Sequence, residues 1–133
     1  MRRPIIVLVA TLALVACDAA AQNYPTKAIR FVIPFAPGGG TDIIARILAQ
    51  RLNEALGQPV VADNRGGAGS TLGTDIVCKS PADGYTLLLA NISLAFNPWL
   101  YKSLPYNAVK DLAPVSMVAV QPNIVVIHPS VPA

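Results

Sequence analysis

The sequence predicts an α/β fold with a mainly parallel sheet that helices cover on both faces. Three observations support this prediction. Short apolar runs alternate along the chain with segments of helical periodicity. Glycine-rich turns separate the first two runs from the helices that follow them. Within the runs, apolar residues are nearly continuous, which is typical of parallel strands buried on both sides.

The first 21 residues are predicted to be a secretory signal peptide. Arg2 and Arg3 precede the apolar run of residues 5–16, which is shorter than the 20 or so residues that a membrane span needs. Ala19 and Ala21 favour cleavage before Gln22. The alternative is a lipoprotein signal over residues 1–16, with Cys17 lipidated as the new N-terminus. Either route predicts export, and the favoured cleavage leaves residues 22–133 as the mature part.

The charge of the mature part excludes one class of partner. Arg2, Arg3 and Asp18 belong to the leader, so ten basic and seven acidic residues become eight and six. Such a weak and dispersed excess predicts no nucleic-acid partner, which needs a clustered basic face. Cys78 has no partner for a disulfide and no CxxC spacing, so a small apolar role is expected.

The first two strands and the helix between them have clear local signals. Residues 29–35 (IRFVIPF) are predicted to be a buried strand, and the glycine turn of residues 37–40 follows. Residues 41–56 are predicted to be a helix, with Thr41 or Asp42 as its N-cap and Gly57 as its C-cap. Residues 59–64 are predicted to be the second strand.

The rest of the chain continues the alternation. A second glycine turn spans residues 65–70, and residues 71–79 are predicted to form a short helix. The remaining expectations are a strand over residues 85–90, a loop over 91–97, a brief helix over 98–101, an irregular segment over 104–107, and two final strands over 115–120 and 124–127.

The two glycine turns are the predicted functional feature. In an open parallel sheet, ligands bind outside the carboxyl ends of the strands. Glycines there expose backbone N–H groups, and the helix N-termini add partial positive charge, which suits an anion. One predicted anion site comprises Gly38, Gly39, Gly40 and Thr41, and the other comprises Gly67, Ala68, Gly69 and Ser70. The loop of Asn91, Ile92 and Ser93 follows the third strand at the same edge.

Several kinds of enzyme are disfavoured by the same residues. Ile43 stands where a dinucleotide fingerprint needs glycine or alanine, and no phosphate-binding P-loop follows either turn. Ser70 lacks the glycine two residues earlier that a nucleophile elbow requires. His128 has no evident partner as a base, and no acidic pair has a useful spacing. No metal ion or cofactor is therefore expected, and Asp42 is expected to cap the helix rather than bind a ligand.

A series of motifs resembles the Bug-type (TctC-like) receptors of tripartite tricarboxylate transporters. The motifs cover essentially the whole mature part, in order: residues 24–30 (YPTKAIR), 33–39 (IPFAPGG), 64–69 (NRGGAG), 80–87 (SPADGYTL), 97–101 (NPWLY), 104–107 (LPYN) and 111–115 (DLAPV). The resemblance implies the first lobe of a periplasmic-binding-protein-like receptor of type II, also called a Venus flytrap, in which residues 22–133 form part of that lobe.

The resemblance also implies a function and a set of site residues. Such receptors are not enzymes; they bind a small carboxylate or dicarboxylate in the periplasm and deliver it to the permease subunits of a membrane transporter. The implied ligand-binding residues are Ala36, Pro37, Gly38, Gly39, Gly40, Thr41, Gly69, Ser70, Asn91 and Ser93. A monomer is expected for the full-length protein.

The resemblance leaves two other functions open. Family members continue for more than a hundred residues past position 133, so a fragment without independent binding is the first alternative. A small anion- or nucleotide-dependent enzyme is the second, and the missing motifs disfavour it.

Overall fold

Strands and helices alternate in the part of the chain that the computed structural model describes, which comprises residues 24–120, 122, 126 and 128–131. The expected leader (residues 1–21), including Cys17, lies outside the described residues. The elements are β1 (Ile29–Ile33), α1 (Gly40–Leu56), β2 (Val60–Asn64), α2 (Thr71–Cys78), β3 (Thr86–Leu88) and α3 (Ser93–Leu100).

The three strands form a parallel sheet with β1 in the centre and the order β2-β1-β3. Ile29 pairs with Val60 in register on one side of β1, and Arg30 pairs with Thr86 on the other. The predicted parallel sheet is confirmed. The observed strands are shorter than expected, and β1 ends before Pro34, which has no backbone N–H to continue the ladder.

One face of the sheet packs against α1. Phe31 and Ile33 project to this face and contact Ala45 and Ala49 of the helix in the main hydrophobic cluster. Because the two alanines are small, the helix backbone can lie close to the strands. The largest apolar residues of the predicted helical stripe are less buried: Ile43 and Ile47 are more than half exposed.

The other face of the sheet packs against α2. Residue alternation along β1 places Val32 and Pro34 on this face. Gly73 of α2 lies so close that an added Cβ atom would stand 2.6 Å from the carbonyl oxygen of Arg65 and 2.8 Å from Cβ of Pro34. Helices therefore cover both faces, as the sequence predicts.

Gly73→Ala is expected to destabilise the full-length gene product by about 1–3 kcal/mol, because the new methyl group forces a well-packed contact apart. Chemical denaturation measures this loss. Gly40→Ala is a control for the added methyl group in a helix, because a Cβ atom at Gly40 meets nothing within 4 Å. Equal stability of the two variants would contradict the prediction.

The termini of α1 are partly as predicted. Gly57 ends the helix in the left-handed conformation (φ 65°), and its N–H donates to the carbonyl of Asn53, as predicted. The predicted N-cap is wrong. The helix begins at Gly40 with Gly39 as its N-cap, so Thr41 and Asp42 lie inside the first turn. The Asp42 carboxylate nevertheless accepts a hydrogen bond near the start of the helix, from the Gly38 N–H at 2.9 Å.

Two predictions in the second half of the chain are wrong. Residues 91–97 were expected to form a loop, but α3 begins at Ser93, whose N–H donates to the Asn91 side chain at 2.9 Å. Pro98 lies inside this short helix instead of opening one.

The predicted strand of residues 115–120 is also wrong. It is irregular and exposed, because no described strand pairs with it. The strand predicted for residues 124–127 lies outside the described residues except Val126, which is not in a strand. Across the described residues, no helix combines the length and apolarity required to cross a membrane.

Candidate functional site

Three loops meet at the carboxyl edge of the sheet. Residues 34–39 follow β1, residues 65–70 follow β2, and residues 89–92 follow β3. In the order β2-β1-β3, the chain leaves β1 toward β2 on one side, whereas β3 pairs with β1 on the opposite side. Such a change of direction between β1 and β3 opens a crevice in which ligands of α/β proteins commonly bind. The loops that the sequence predicts for a binding site therefore share one edge.

The first glycine turn exposes backbone donors at the start of α1. The N–H groups of Gly39, Gly40 and Thr41 have no hydrogen-bond acceptor in the described part of the chain. A Cβ atom at Gly40 would meet nothing within 4 Å, and one at Gly39 only the carbonyl oxygen of Ala36 at 3.9 Å. These donors lie at the positive end of a helix of 17 residues. The turn can therefore accept an anion without a cationic side chain.

A buried carboxylate holds this first turn in place. Asp42 is only 3% exposed and accepts hydrogen bonds from Gly38 N (2.9 Å), Arg46 Nε (3.0 Å) and Asn64 Nδ2 (2.8 Å). Asn64 Nδ2 also donates to the carbonyl of Phe35 at 3.2 Å. The network joins the turn to α1 and to the end of β2. Asp42 thus has protein partners at both oxygens and holds the turn, whereas the sequence predicts a helix-capping role for it.

The same network lowers the pKa of Asp42 to about 2, chiefly through the Arg46 hydrogen bond and then through those from Gly38 and Asn64. Because the folded pKa lies below the ordinary aspartate value of 3.8, the ionised carboxylate stabilises the fold above about pH 4. That contribution is lost as the pH falls toward 2.

Asp42→Asn is expected to lower the melting temperature at pH 7 and to flatten its dependence on pH between 4 and 2. Thermal unfolding of the full-length gene product across this range tests both effects. Glu54→Gln is the matched control, because Glu54 is an exposed carboxylate of the same helix. A parallel pH profile for wild type and Asp42→Asn would show that the network does not stabilise the ionised form.

The second glycine turn has an unusual backbone. Ala68, Gly69 and Ser70 are three successive residues with positive φ, at 47°, 59° and 78°. Only glycine adopts this region without strain, and each residue with a Cβ atom costs about 1–2 kcal/mol there. Strained backbone of this kind occurs most often at functional sites, where the surrounding structure holds it. The N–H groups of Gly69 and Ser70 have no acceptor among the described residues.

A chain of hydroxyl and amide groups links this turn to the loop after β3. The Oγ atoms of Ser70 and Ser93 are 2.8 Å apart, and Ser93 Oγ donates to Asn91 Oδ1. Since each hydroxyl has one hydrogen, Ser70 must be the donor to Ser93. The structure thus brings together three residues of the predicted site, Ser70, Asn91 and Ser93, from two separate loops.

The first and second turns touch at the backbone. A Cβ atom at Gly66 would lie 3.2 Å from the backbone nitrogen of Ala36. Ser70 and Ser93, the serine pair, make no direct hydrogen bond to residues 36–41 in the described part of the chain. Ala36 and Pro37 are exposed at the same edge. The predicted residues therefore form two groups of donors that share one rim.

Asn97 is a site residue that the sequence does not predict. This side chain of α3 is 2% exposed, and its Nδ2 lies 2.9 Å from the carbonyl oxygen of Gly69 and 3.3 Å from Ser70 Oγ. The only available signal was its place in the motif of residues 97–101, which does not reveal a contact 28 residues away. Asn97 therefore binds the buried side of the second turn.

Cationic side chains near the rim are already paired. Arg46 binds Asp42, and Arg65 binds Asp63 at 2.8 Å. Within residues 24–120 and the few described beyond them, no three His, Cys, Asp or Glu side chains cluster as a metal site would require. The donors open to a ligand are thus mainly neutral backbone N–H groups.

Known proteins resemble this chain in sequence and fold. The protein BugT of Bordetella pertussis is 50% identical over 117 residues, which cover 86% of this chain and 36% of BugT. The structure of Rpa4515 from R. palustris with adipate is 38% identical, with a TM-score of 0.63 over 65% of this chain and 29% of that one. MatC from Rhodopseudomonas palustris with bound malate is 34% identical, with a TM-score of 0.63 over 71% and 33%.

These comparisons confirm the predicted fold of a first lobe of periplasmic-binding-protein type. The chain spans about a third of the length of the curated relatives it matches. The family model described as the tripartite tricarboxylate transporter family receptor matches residues 44–133. The match covers more than half of the sequence, and the chain therefore belongs to the TctC family of tripartite tricarboxylate transporter receptors.

Proposed function

We propose that the protein is a non-enzymatic solute receptor that binds one carboxylate group of a small dicarboxylate at the rim formed by its two glycine turns. The observation that carries this proposal is the set of unpaired donors at the carboxyl edge of the sheet. They are the N–H groups of Gly39, Gly40, Thr41, Gly69 and Ser70, none of which has an acceptor among the described residues.

Neutral, fixed donors suit a carboxylate that must later be released. A carboxylate has about four lone-pair directions, so several N–H and O–H groups can bind it at once. Hydrogen bonds to an ionised acceptor are stronger than neutral ones, and the α1 dipole adds to them. Malate and adipate, which the similar structures contain, each have two carboxylate groups. They support the same ligand class here.

The serine pair favours a receptor over a hydrolase. Ser70 Oγ contacts another hydroxyl, Ser93, and the amide of Asn97. Neither group can take a proton from Ser70 as a general base does. His128 bonds to Ser130 in an exposed segment. Among the described residues, Ser70 therefore contacts no general base.

The predicted leader and the family support export of the receptor and delivery of its ligand to a membrane permease. The leader of residues 1–21, or a lipid anchor at Cys17, places the receptor in the periplasm. There, the loaded receptor docks on the permease subunits of a tripartite transporter as a monomer. Family membership supports this step, and the weak positive charge of the mature part is compatible with an anionic ligand.

Calorimetry on the full-length gene product tests the proposed ligand class. Titration with malate, succinate, adipate and citrate is expected to give a micromolar or tighter Kd for at least one of them, roughly −8 kcal/mol. The diamide of the best ligand is the matched control, because it keeps the size but lacks the charge. It should bind at least about 100-fold more weakly. Equal binding of the diamide, or no binding by any acid, would refute the proposal.

A further inference from the structure

We propose that α3 is the template that fixes the second glycine turn in its binding conformation, with Asn97 as the positioning residue. This inference rests on the proposed carboxylate site. It concerns a residue that need not touch the ligand, because the Asn97 side chain is buried behind the turn.

The turn lacks internal bonds that would hold its three left-handed residues. Its local hydrogen bonds are Thr71 N–H to the carbonyl of Ala68, Leu72 N–H to the carbonyl of Gly67 at 3.5 Å, and Thr74 Oγ1 to the carbonyl of Ser70. All three donors belong to α2, and none of these bonds involves Gly69. The hydrogen bonds that reach Gly69 and the Ser70 side chain come from α3, which lies 23 to 28 residues further along the chain.

Three residues of α3 or its end contact the turn at helical spacing. Ser93 reaches Ser70 Oγ at 2.8 Å, and Asn97 reaches Gly69, Ser70 and Thr71. Tyr101 is the third residue. Its hydroxyl lies so close to Gly69 that an added Cβ atom there would stand 2.9 Å away from it. Positions 93, 97 and 101 are four residues apart and share one helix face. This face therefore matches the shape of the turn.

Asn97 presents its amide nitrogen to the second turn. Its Nδ2 lies within 3.3 Å of three acceptors: the Gly69 carbonyl, Ser70 Oγ and Thr71 Oγ1. The bond to the Gly69 carbonyl fixes the peptide group that carries the Ser70 N–H. The bond to Ser70 Oγ occupies a lone pair, so the hydroxyl hydrogen points to Ser93. Asn97 thus orients both the backbone and the side-chain donors of Ser70.

The inference predicts a link between Asn97 and backbone strain. Without the amide, Ala68 and Ser70 can relax from positive to negative φ, and the Gly69 and Ser70 N–H groups then leave their positions. Asn97→Leu keeps the size of the side chain and removes its donors. We expect it to weaken malate binding, or binding of the best acid, roughly tenfold. Asn53→Leu, in α1 and remote from the turns, should leave Kd unchanged.

A second substitution separates positioning from general stability. Glycine tolerates positive φ, so Ala68→Gly reduces the tendency of the turn to relax. In the full-length gene product, Asn97→Leu with Ala68→Gly is expected to regain part of the lost affinity. A purely structural role for Asn97 would lower the melting temperature without such rescue. Wild-type affinity in Asn97→Leu, or no recovery in the double variant, would overturn the inference.

Crystal structures of wild type and Asn97→Leu supply a readout that needs no ligand. The wild type should keep positive φ at Ala68 and Ser70, and the variant should lose it at one or both. If the wild type bound no carboxylate, the proposed function would fail, yet the φ angles would still test the template. Unchanged φ angles in Asn97→Leu would overturn the template itself.

Discussion

Gly69→Val is expected to abolish carboxylate binding by the full-length gene product, with at least about a 100-fold rise in Kd. Gly69 has a φ of 59°, which a β-branched residue does not tolerate. Its Cβ atom would also stand 2.9 Å from the hydroxyl of Tyr101 and 3.7 Å from Oδ1 of Asn97. The turn must therefore change its backbone, and the Gly69 and Ser70 N–H groups move with it.

Gly39→Val is the informative comparison, because its effect has a different cause. Gly39 has an ordinary φ of −80°, and the space around its Cβ position is nearly empty. The valine should leave the fold intact and block only the approach of the ligand to the N–H groups. Calorimetry and thermal unfolding should show weaker binding in both variants but a lower melting temperature only for Gly69→Val. Unchanged affinity in both would mean that the glycines serve the turns alone.

Residues 22–133 expressed alone are expected to bind a dicarboxylate at best at about millimolar Kd. In a two-lobed receptor, closure surrounds the ligand and excludes water. A single lobe leaves the rim in contact with solvent, where each hydrogen bond contributes only about 0.5–1.5 kcal/mol. Two or three such bonds barely offset the cost of immobilising the ligand.

The isolated segment should also be poorly stable and prone to aggregate. Trp99 is 89% exposed and Leu100 74% exposed on α3, and Val109 is 89% exposed. The outer edge of β3 has no partner strand among the described residues. Size-exclusion chromatography, chemical denaturation and titration with succinate, malate, citrate and aspartate test these points. A monomer that unfolds cooperatively and binds with micromolar affinity would show that the loops of this lobe suffice for recognition.

The sequence pattern correctly predicted those elements whose signals lie within a few residues of one another. The apolar runs ending at Ile33 and Asn64 became parallel strands, and Gly57 ended α1 as predicted. The glycine turns could be assigned to one rim because parallel strands place all their carboxyl ends at the same edge. The motifs between residues 24 and 115 also indicated the family, which the comparison over residues 44–133 established.

Local pattern failed where partners are distant in sequence. Residues 115–120 have the composition of a strand, but a strand also needs a neighbour to pair with, and the described chain provides none. Residues 91–97 contain loop-forming residues, yet α3 begins at Ser93, where its inner face contacts the second turn. Ile43 and Ile47 fit the helical stripe, but two alanines form the close contact with the sheet.

The sequence by itself therefore determined the class of fold, the family and the sheet edge that the two glycine turns share. Only the tertiary structure revealed the hydrogen bonds that fix the conformation of the loops at that edge. Asp42 reaches Asn64 across 22 residues, and Asn97 reaches Gly69 across 28. Hydrogen bonds of this kind depend on where the packed sheet places each side chain. No periodicity or turn signal near Asp42 or Asn97 encodes that position.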